Sequence, residues 1–107
     1  MATETGQWHR AAALEDVWDG VPLGLEIAGA CIALYRLGEA VHAVGDLCPH
    51  QEGVKLSEGY LDGDVIECPM HQSCFNVTTG KVMGPPAKED IATYPIRIEN
   101  GDVFVQI

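Results

Sequence analysis

Cys48-Pro49-His50 and Cys68-Pro69-Met70-His71 are the two short pieces around which this 107-residue chain is organised. Seventeen residues, Gln51 to Glu67, separate them. Each piece supplies one thiolate and one imidazole at a proline-containing loop, and together they make a set of metal ligands. Two Cys and two His suit tetrahedral zinc, but zinc ribbons and fingers group Cys with Cys and His with His. Here each loop is mixed, and Cys-x-His is tight for two ligands on one ion. A centre with two irons removes the difficulty, because each loop then sends its Cys to one iron and its His to the other. Zinc and two-iron centres both stay open on the ligand types alone.

Working outward, Gln7 to Ala11 reads as a first strand and Ala12 to Asp19 as no more than one helical turn. Val21 to Ile27 alternates, with Leu23, Leu25 and Ile27 on one face and Pro22 at its start. Ala28-Gly29 turns, Ala30 to Leu37 is a continuous apolar strand, Gly38-Glu39 turns again, and Ala40 to Val44 completes a three-strand meander before the first ligand loop. Between the ligand pieces, Leu56 to Leu61 leads to Asp62-Gly63, a hairpin signal, and Val65-Ile66-Glu67 runs into Cys68. Beyond them come a strand, Cys74 to Val77, and a turn, Thr78-Thr79-Gly80. Lys81-Val82-Met83 precedes Gly84-Pro85-Pro86, which cannot lie inside a regular element. Ile91 to Glu99 reads as one long strand with Ile96 and Ile98 on one face. Asn100-Gly101 is a strong hairpin signal, and Asp102 to Ile107 closes the sheet with Val103, Val105 and Ile107 on one face. The expected fold is all-β, an antiparallel sandwich of about ten short strands. It is one domain, 1–107, with a ligand-bearing subdomain inserted at about 46–86. No internal repeat is visible.

Composition narrows the function. No apolar run approaches a membrane span, and Met1 to Thr5 lacks the basic and apolar regions of a secretory signal. The expectation is a cytoplasmic monomer with reduced thiols and no membrane contact. A formal net charge of −10 argues against nucleic acid, which calls for a basic footprint. Glu15, Asp16, Asp19, Glu58, Asp62, Asp64, Glu67, Glu89 and Asp90 spread the acid along the chain. They serve as a solubilising surface, as a field that steers the protein to basic partners, or as both.

At the ligand motif the chain resembles the Rieske family: Cys-x-His, a spacer of this length, then Cys-x-x-His. The likeness extends over essentially the whole chain and includes Gly84-Pro85-Pro86, which in the family forms a third loop over the cluster. It implies a Rieske-like sandwich with an inserted cluster-binding subdomain and one [2Fe–2S] cluster. Cys48 and Cys68 would ligate one iron, and His50 and His71 the other. Two thiolates leave the oxidised core neutral where four would leave it anionic. Rieske potentials accordingly lie at roughly −150 to +300 mV, above the roughly −400 mV of plant-type ferredoxins. The outer imidazole nitrogens would form the electron exit, within a tip made by Gln51, Gln72, Pro85 and Pro86.

High-potential members carry an extra Cys in each ligand loop, joined as a disulfide; Gly53 and Met70 stand at those positions here. They also carry a Ser and a Tyr whose hydroxyls donate to sulfur. Ser73 keeps the first, whereas Phe75 replaces the second. Losing a donor to sulfur lowers the potential. The pattern is similar to the Rieske ferredoxins of bacterial aromatic-ring dioxygenases, which take electrons from a flavin-dependent reductase and pass them to a terminal Rieske oxygenase. Such a protein is an electron carrier and not an enzyme, and the chain lacks the length for a terminal oxygenase domain. The alternatives are a Rieske-like small subunit of an assimilatory nitrite reductase and a zinc-held interaction module. Among the remaining candidates, Cys74 reads as a buried strand residue, Cys31 as core, and His9 and His42 as structural or surface residues. Met70 reads as packing over the ligand loop, and Trp8 and Trp18 as packing residues.

Overall fold

The computed structural model describes residues 7–47, 53–70, 73–84 and 89–107. Expectations that fall on Cys48, His50, Gln51, His71, Gln72, Pro85 and Pro86 lie outside the described residues. The described chain is all-β apart from two short 3₁₀ turns, Leu14–Asp16 and Leu56–Glu58. Its strands are β1 Trp8–Ala13, β2 Leu23–Ile27, β3 Ala30–Leu37, β4 Ala40–Gly45, β5 Tyr60–Asp62, β6 Val65–Glu67, β7 Cys74–Asn76, β8 Val82–Gly84, β9 Thr93–Tyr94, β10 Ile96–Glu99 and β11 Asp102–Gln106. They form three sheets, ordered β1-β11-β10, β2-β3-β4-β9 and β5-β6-β7-β8, and each paired strand runs antiparallel to its neighbour.

Two-residue turns set four of the eight registers among the described strands. Leu37 pairs with Ala40 across Gly38-Glu39, and Asp62 with Val65 across Gly63-Asp64, one residue later than the sequence signal. In both, only the glycine has positive φ (68° and 63°), the requirement of a type II′ turn. Ala28-Gly29 and Asn100-Gly101 have positive φ at both positions, as a type I′ turn demands. Asparagine tolerates this conformation; Ala28, at φ 52°, pays a steric cost of about 1–2 kcal/mol.

Strand β3 is buried on both faces along its middle. Along β3, Ala33 and Tyr35 join Leu56, Ile66, Cys68, Phe75, Val77 and Ile91 in one apolar cluster, while Ile32 and Leu34 join Val17, Val103 and Val105 in another. That is why Ala30–Leu37 is continuously apolar instead of alternating. Burying each such side chain contributes about 1.5–3 kcal/mol. The first cluster fixes the β5-β6-β7-β8 sheet, and with it Cys68, against the middle sheet.

Four expectations are corrected. Ile91 to Glu99 is not one strand: β9 pairs with β4, β10 pairs with β11, and the chain changes sheets at Pro95, which has no N–H for a ladder. Ile98 is consequently 40% exposed near the Asn100-Gly101 turn. Gly84 ends β8, paired with Cys74, instead of lying wholly in a loop. Trp18 is 66% exposed, and its Nε1–H donates to the Glu15 carbonyl (3.0 Å), tying the first 3₁₀ turn. Cys31 is half-buried and lines an open groove of about 380 Å³ with Leu47, Asp90, Ile91 and Tyr94. Trp8 does pack, its ring 4.6 Å from the Arg97 guanidinium carbon. Among the described residues no helix is long and apolar enough to cross a membrane.

Candidate metal centre

The described framework holds the bases of three loops. The first leaves β4 at Asp46 and returns at Lys55, where Leu47 and Lys55 form a bridge and the Leu56 N–H donates to the Asp46 carbonyl (2.7 Å). The second begins at Cys68, whose N–H donates to the Ser73 carbonyl (2.8 Å) while Glu67 pairs with Cys74. The third leaves β8 at Gly84 and returns to Asp90, whose Oδ1 accepts from the Val82 N–H (2.8 Å). Strand pairing and these hydrogen bonds together fix the bases of the loops.

Of the four ligand candidates, Cys68 is described; Cys48, His50 and His71 lie outside the described residues. Cys68 is 1% exposed, reduced, and enclosed by apolar side chains of the cluster shared with Ile66 and Phe75. A thiolate placed there needs a positive partner, because burying an unpaired charge is costly. A metal ion supplies one, so the surroundings of Cys68 fit a metal–sulfur centre. Cys74, in β7, is half-buried, and burial, followed by the Glu67 carboxylate, pushes its thiol up. Among the described residues no group of three or more His, Cys, Asp or Glu is placed to hold a metal ion.

Around Cys68, Ser73 and Phe75 are fully buried. Met70 is not packed over its loop, as the sequence reading had it, but is 66% exposed. Sequence reasoning missed Asp46. This carboxylate is 1% exposed, and its two oxygens accept from the Ser57 N–H and the Ser57 Oγ–H, both at 2.7 Å. Burial raises its pKa, while the Ser57 hydrogen bonds and the Lys55 charge pull it back. The sequence signal was an acid beside a ligand loop; its partner eleven residues on could not be read from one sequence.

The model of the Rieske [2Fe-2S] domain matches residues 7–95. This chain belongs to the Rieske family. It is 41% identical over 103 residues, 96% of this chain and 98% of the relative, to the ferredoxin component of the naphthalene 1,2-dioxygenase system of Pseudomonas putida. The ferredoxin of carbazole 1,9a-dioxygenase from Nocardioides aromaticivorans IC177 superposes with a TM-score of 0.88 at 28% identity, covering 94% of this chain and 97% of that one. A chain from a complex of reduced oxygenase and oxidized ferredoxin in carbazole 1,9a-dioxygenase gives 0.86 at 37% identity, covering 92% of each. A nitrite reductase small subunit from Mycobacterium tuberculosis gives 0.82 at 26% identity, covering 94% of each. As a Rieske ferredoxin the chain carries a Rieske-type [2Fe–2S] cluster and is an electron-transfer protein, not a catalyst.

Proposed function

We propose that this ferredoxin carries single electrons from a flavin-dependent reductase to the terminal Rieske oxygenase of an aromatic-ring-hydroxylating dioxygenase system. The observation that supports this most is its near full-length identity with a dioxygenase ferredoxin component. The lower identity with a nitrite reductase small subunit makes that reading the weaker one. Cys48 and Cys68 hold one iron, and His50 and His71 the other. When bound, the cluster takes up and releases one electron at a time. The chain's own residues do the rest: β6 and β7 hold the second loop, and Tyr35, Ile66 and Phe75 keep water from the Cys68 side. The loops belong to a cluster-binding subdomain at about 46–86 within a single domain, and the protein works as a cytoplasmic monomer without membrane or nucleic-acid partners.

The test combines analysis and turnover. The purified protein should contain iron and acid-labile sulfide, lose both in the Cys48→Ser, His50→Ala, Cys68→Ser and His71→Ala variants, and keep them in Cys74→Ser. Reduced by NADH through a flavin reductase, it should then be reoxidised by a dioxygenase terminal component under stopped flow. Zinc without sulfide would refute the cluster assignment. Stable co-purification with a nitrite reductase large subunit, together with failure to reduce any oxygenase, would refute the partner assignment.

A further inference from the structure

The buried Asp46–Ser57 pair lies at the base of the first ligand loop, and nothing in the cluster chemistry described above uses it. Asp46 is engaged on three sides. Its N–H donates to the Cys31 carbonyl of β3 (3.0 Å), and its own carbonyl accepts from the Leu56 N–H. Its carboxylate takes both donors of Ser57. The chain leaving β4 is therefore locked to the chain entering the second 3₁₀ turn, and in the sequence Cys48 and His50 fall between the two. The lock also fits tightly against β2: a Cβ on Gly24 would come within 2.6 Å of Ser57 Oγ and 2.8 Å of Asp46 Oδ2.

A backbone bridge between Leu47 and Lys55 already closes the loop, so closure alone does not require a carboxylate. Burying one is costly unless each oxygen is hydrogen-bonded, and here both are. What the carboxylate adds is orientation: two bonds from one residue, one to each oxygen, restrict the torsion of the strand end that leads, two residues later, into Cys48. We propose that the Asp46–Ser57 pair is a positioning clasp, holding the loop that bears Cys48 and His50 in the arrangement that retains the cluster. This rests on the ligand assignment above. In this proposal Asp46 and Ser57 are not ligands; they act through the loop.

The experiment uses the holoprotein and the variants Asp46→Ala, Ser57→Ala and Asp46→Asn, with Cys48→Ser as a reference. Three readouts are taken: the rate at which a chelator bleaches the visible absorption, the EPR spectrum of the reduced cluster, and the unfolding temperature of the apoprotein. Asp46→Ala should release the cluster about 10- to 100-fold faster, the usual loss when an outer-shell partner is removed. Ser57→Ala, which keeps the N–H bond, should show a smaller increase. Asp46→Asn can still accept from the Ser57 N–H and donate to Oγ, so it should restore slow release and a wild-type EPR line shape. Wild-type release and line shape in Ser57→Ala overturn the clasp, even if Asp46→Ala fails to fold. So does an Asp46→Asn variant as leaky as Asp46→Ala, which would make charge, not position, the operative property. If Cys48→Ser keeps its cluster, the ligand assignment fails, and the clasp with it. If Cys48→Ser loses the cluster and the clasp variants do not, the clasp alone fails.

Discussion

Gly59 links the 3₁₀ turn Leu56–Glu58 to β5, and its replacement by alanine tests the packing behind the Cys68 loop. An ideal Cβ there would run into the Glu67 carbonyl oxygen and stand 3.0 Å from that carbonyl carbon and 3.1 Å from Pro69 Cδ. The obstacle is backbone of β6 and a proline ring, neither of which can swing aside. The backbone of Gly59 is ordinary, with φ −91°, so the penalty is steric and not conformational. Overpacking of this kind costs about 1–3 kcal/mol. Alanine recovers about 0.4–1 kcal/mol by restricting the unfolded chain. The net loss, centred on about 1.3 kcal/mol, lowers Tm by about 5–10 °C in a domain of this size. Because Glu67 precedes Cys68, Gly59→Ala should also speed cluster loss to a chelator. Gly38→Ala is the control: nothing lies within 4 Å of its Cβ, but φ is +68°, so it should cost stability and leave cluster release unchanged. Thermal unfolding by circular dichroism and chelator bleaching measure both effects. A Gly59→Ala protein as stable as wild type would refute the close approach. Equal effects of the two variants on cluster release would refute its link to Cys68.

Three further outcomes are expected. Tyr35 is fully buried, its hydroxyl has no hydrogen-bond partner among the described residues, and burial, with the Asp46 charge second, pushes its pKa upward. Above about pH 10 the unfolded chain loses this proton first while the folded chain keeps it, so stability should fall by up to about 1.4 kcal/mol per pH unit in urea titrations, and Tyr35→Phe should abolish that slope without loss of stability at pH 7. Wild-type voltammetry should place the potential near the low end, roughly −150 mV, of the Rieske range, and Phe75→Tyr should raise it; an unchanged potential would refute the role given to that position. Raising ionic strength shortens the Debye length to about 8 Å at physiological salt, so the rate of electron delivery to an oxygenase should fall while the potential holds; a salt-independent rate would leave the acidic surface a solubility feature.

Local chemistry was legible in the sequence, and long-range contact was not. Ala28-Gly29, Gly38-Glu39 and Asn100-Gly101 were placed as turns because positive φ is written into glycine and asparagine. The strand Ala30–Leu37 was placed to the residue, since eight apolar-rich residues between two turns leave little choice. Pro95 was in plain view, yet the alternation of Ile91 to Glu99 outweighed it, and the sheet change was missed. Gly80 was placed in a turn, but neither it nor Gly59 signalled a close approach. Their need for a missing Cβ comes from Glu67 and Ile91, and one sequence does not say which segments meet. The family was legible in its motif, because cluster chemistry demands particular side chains at close spacing. The loop bases were not, since many residues could supply a donor or an acceptor there.

The acidic residues that read as a uniform surface are in fact of two kinds. Asp19 Oδ1 accepts from the Gly38 N–H (2.8 Å), Asp64 Oδ2 from Asn76 Nδ2 (3.2 Å), and Asp90 Oδ1 from the Val82 N–H (2.8 Å). These carboxylates tie turns, and Asp90 ties the base of the third loop as Asp46 ties that of the first. Asparagine can replace an acid whose task is to accept from an N–H, because its Oδ1 accepts as well. It cannot replace an acid whose task is to present charge. Asp90→Asn therefore removes one charge from the surface while keeping the loop base closed, whereas Asp90→Ala removes both. If steering depends on charge beside the loops, the two variants share one reduced association rate and differ only in cluster retention. If the surface is merely solubilising, they differ in retention and neither alters the rate.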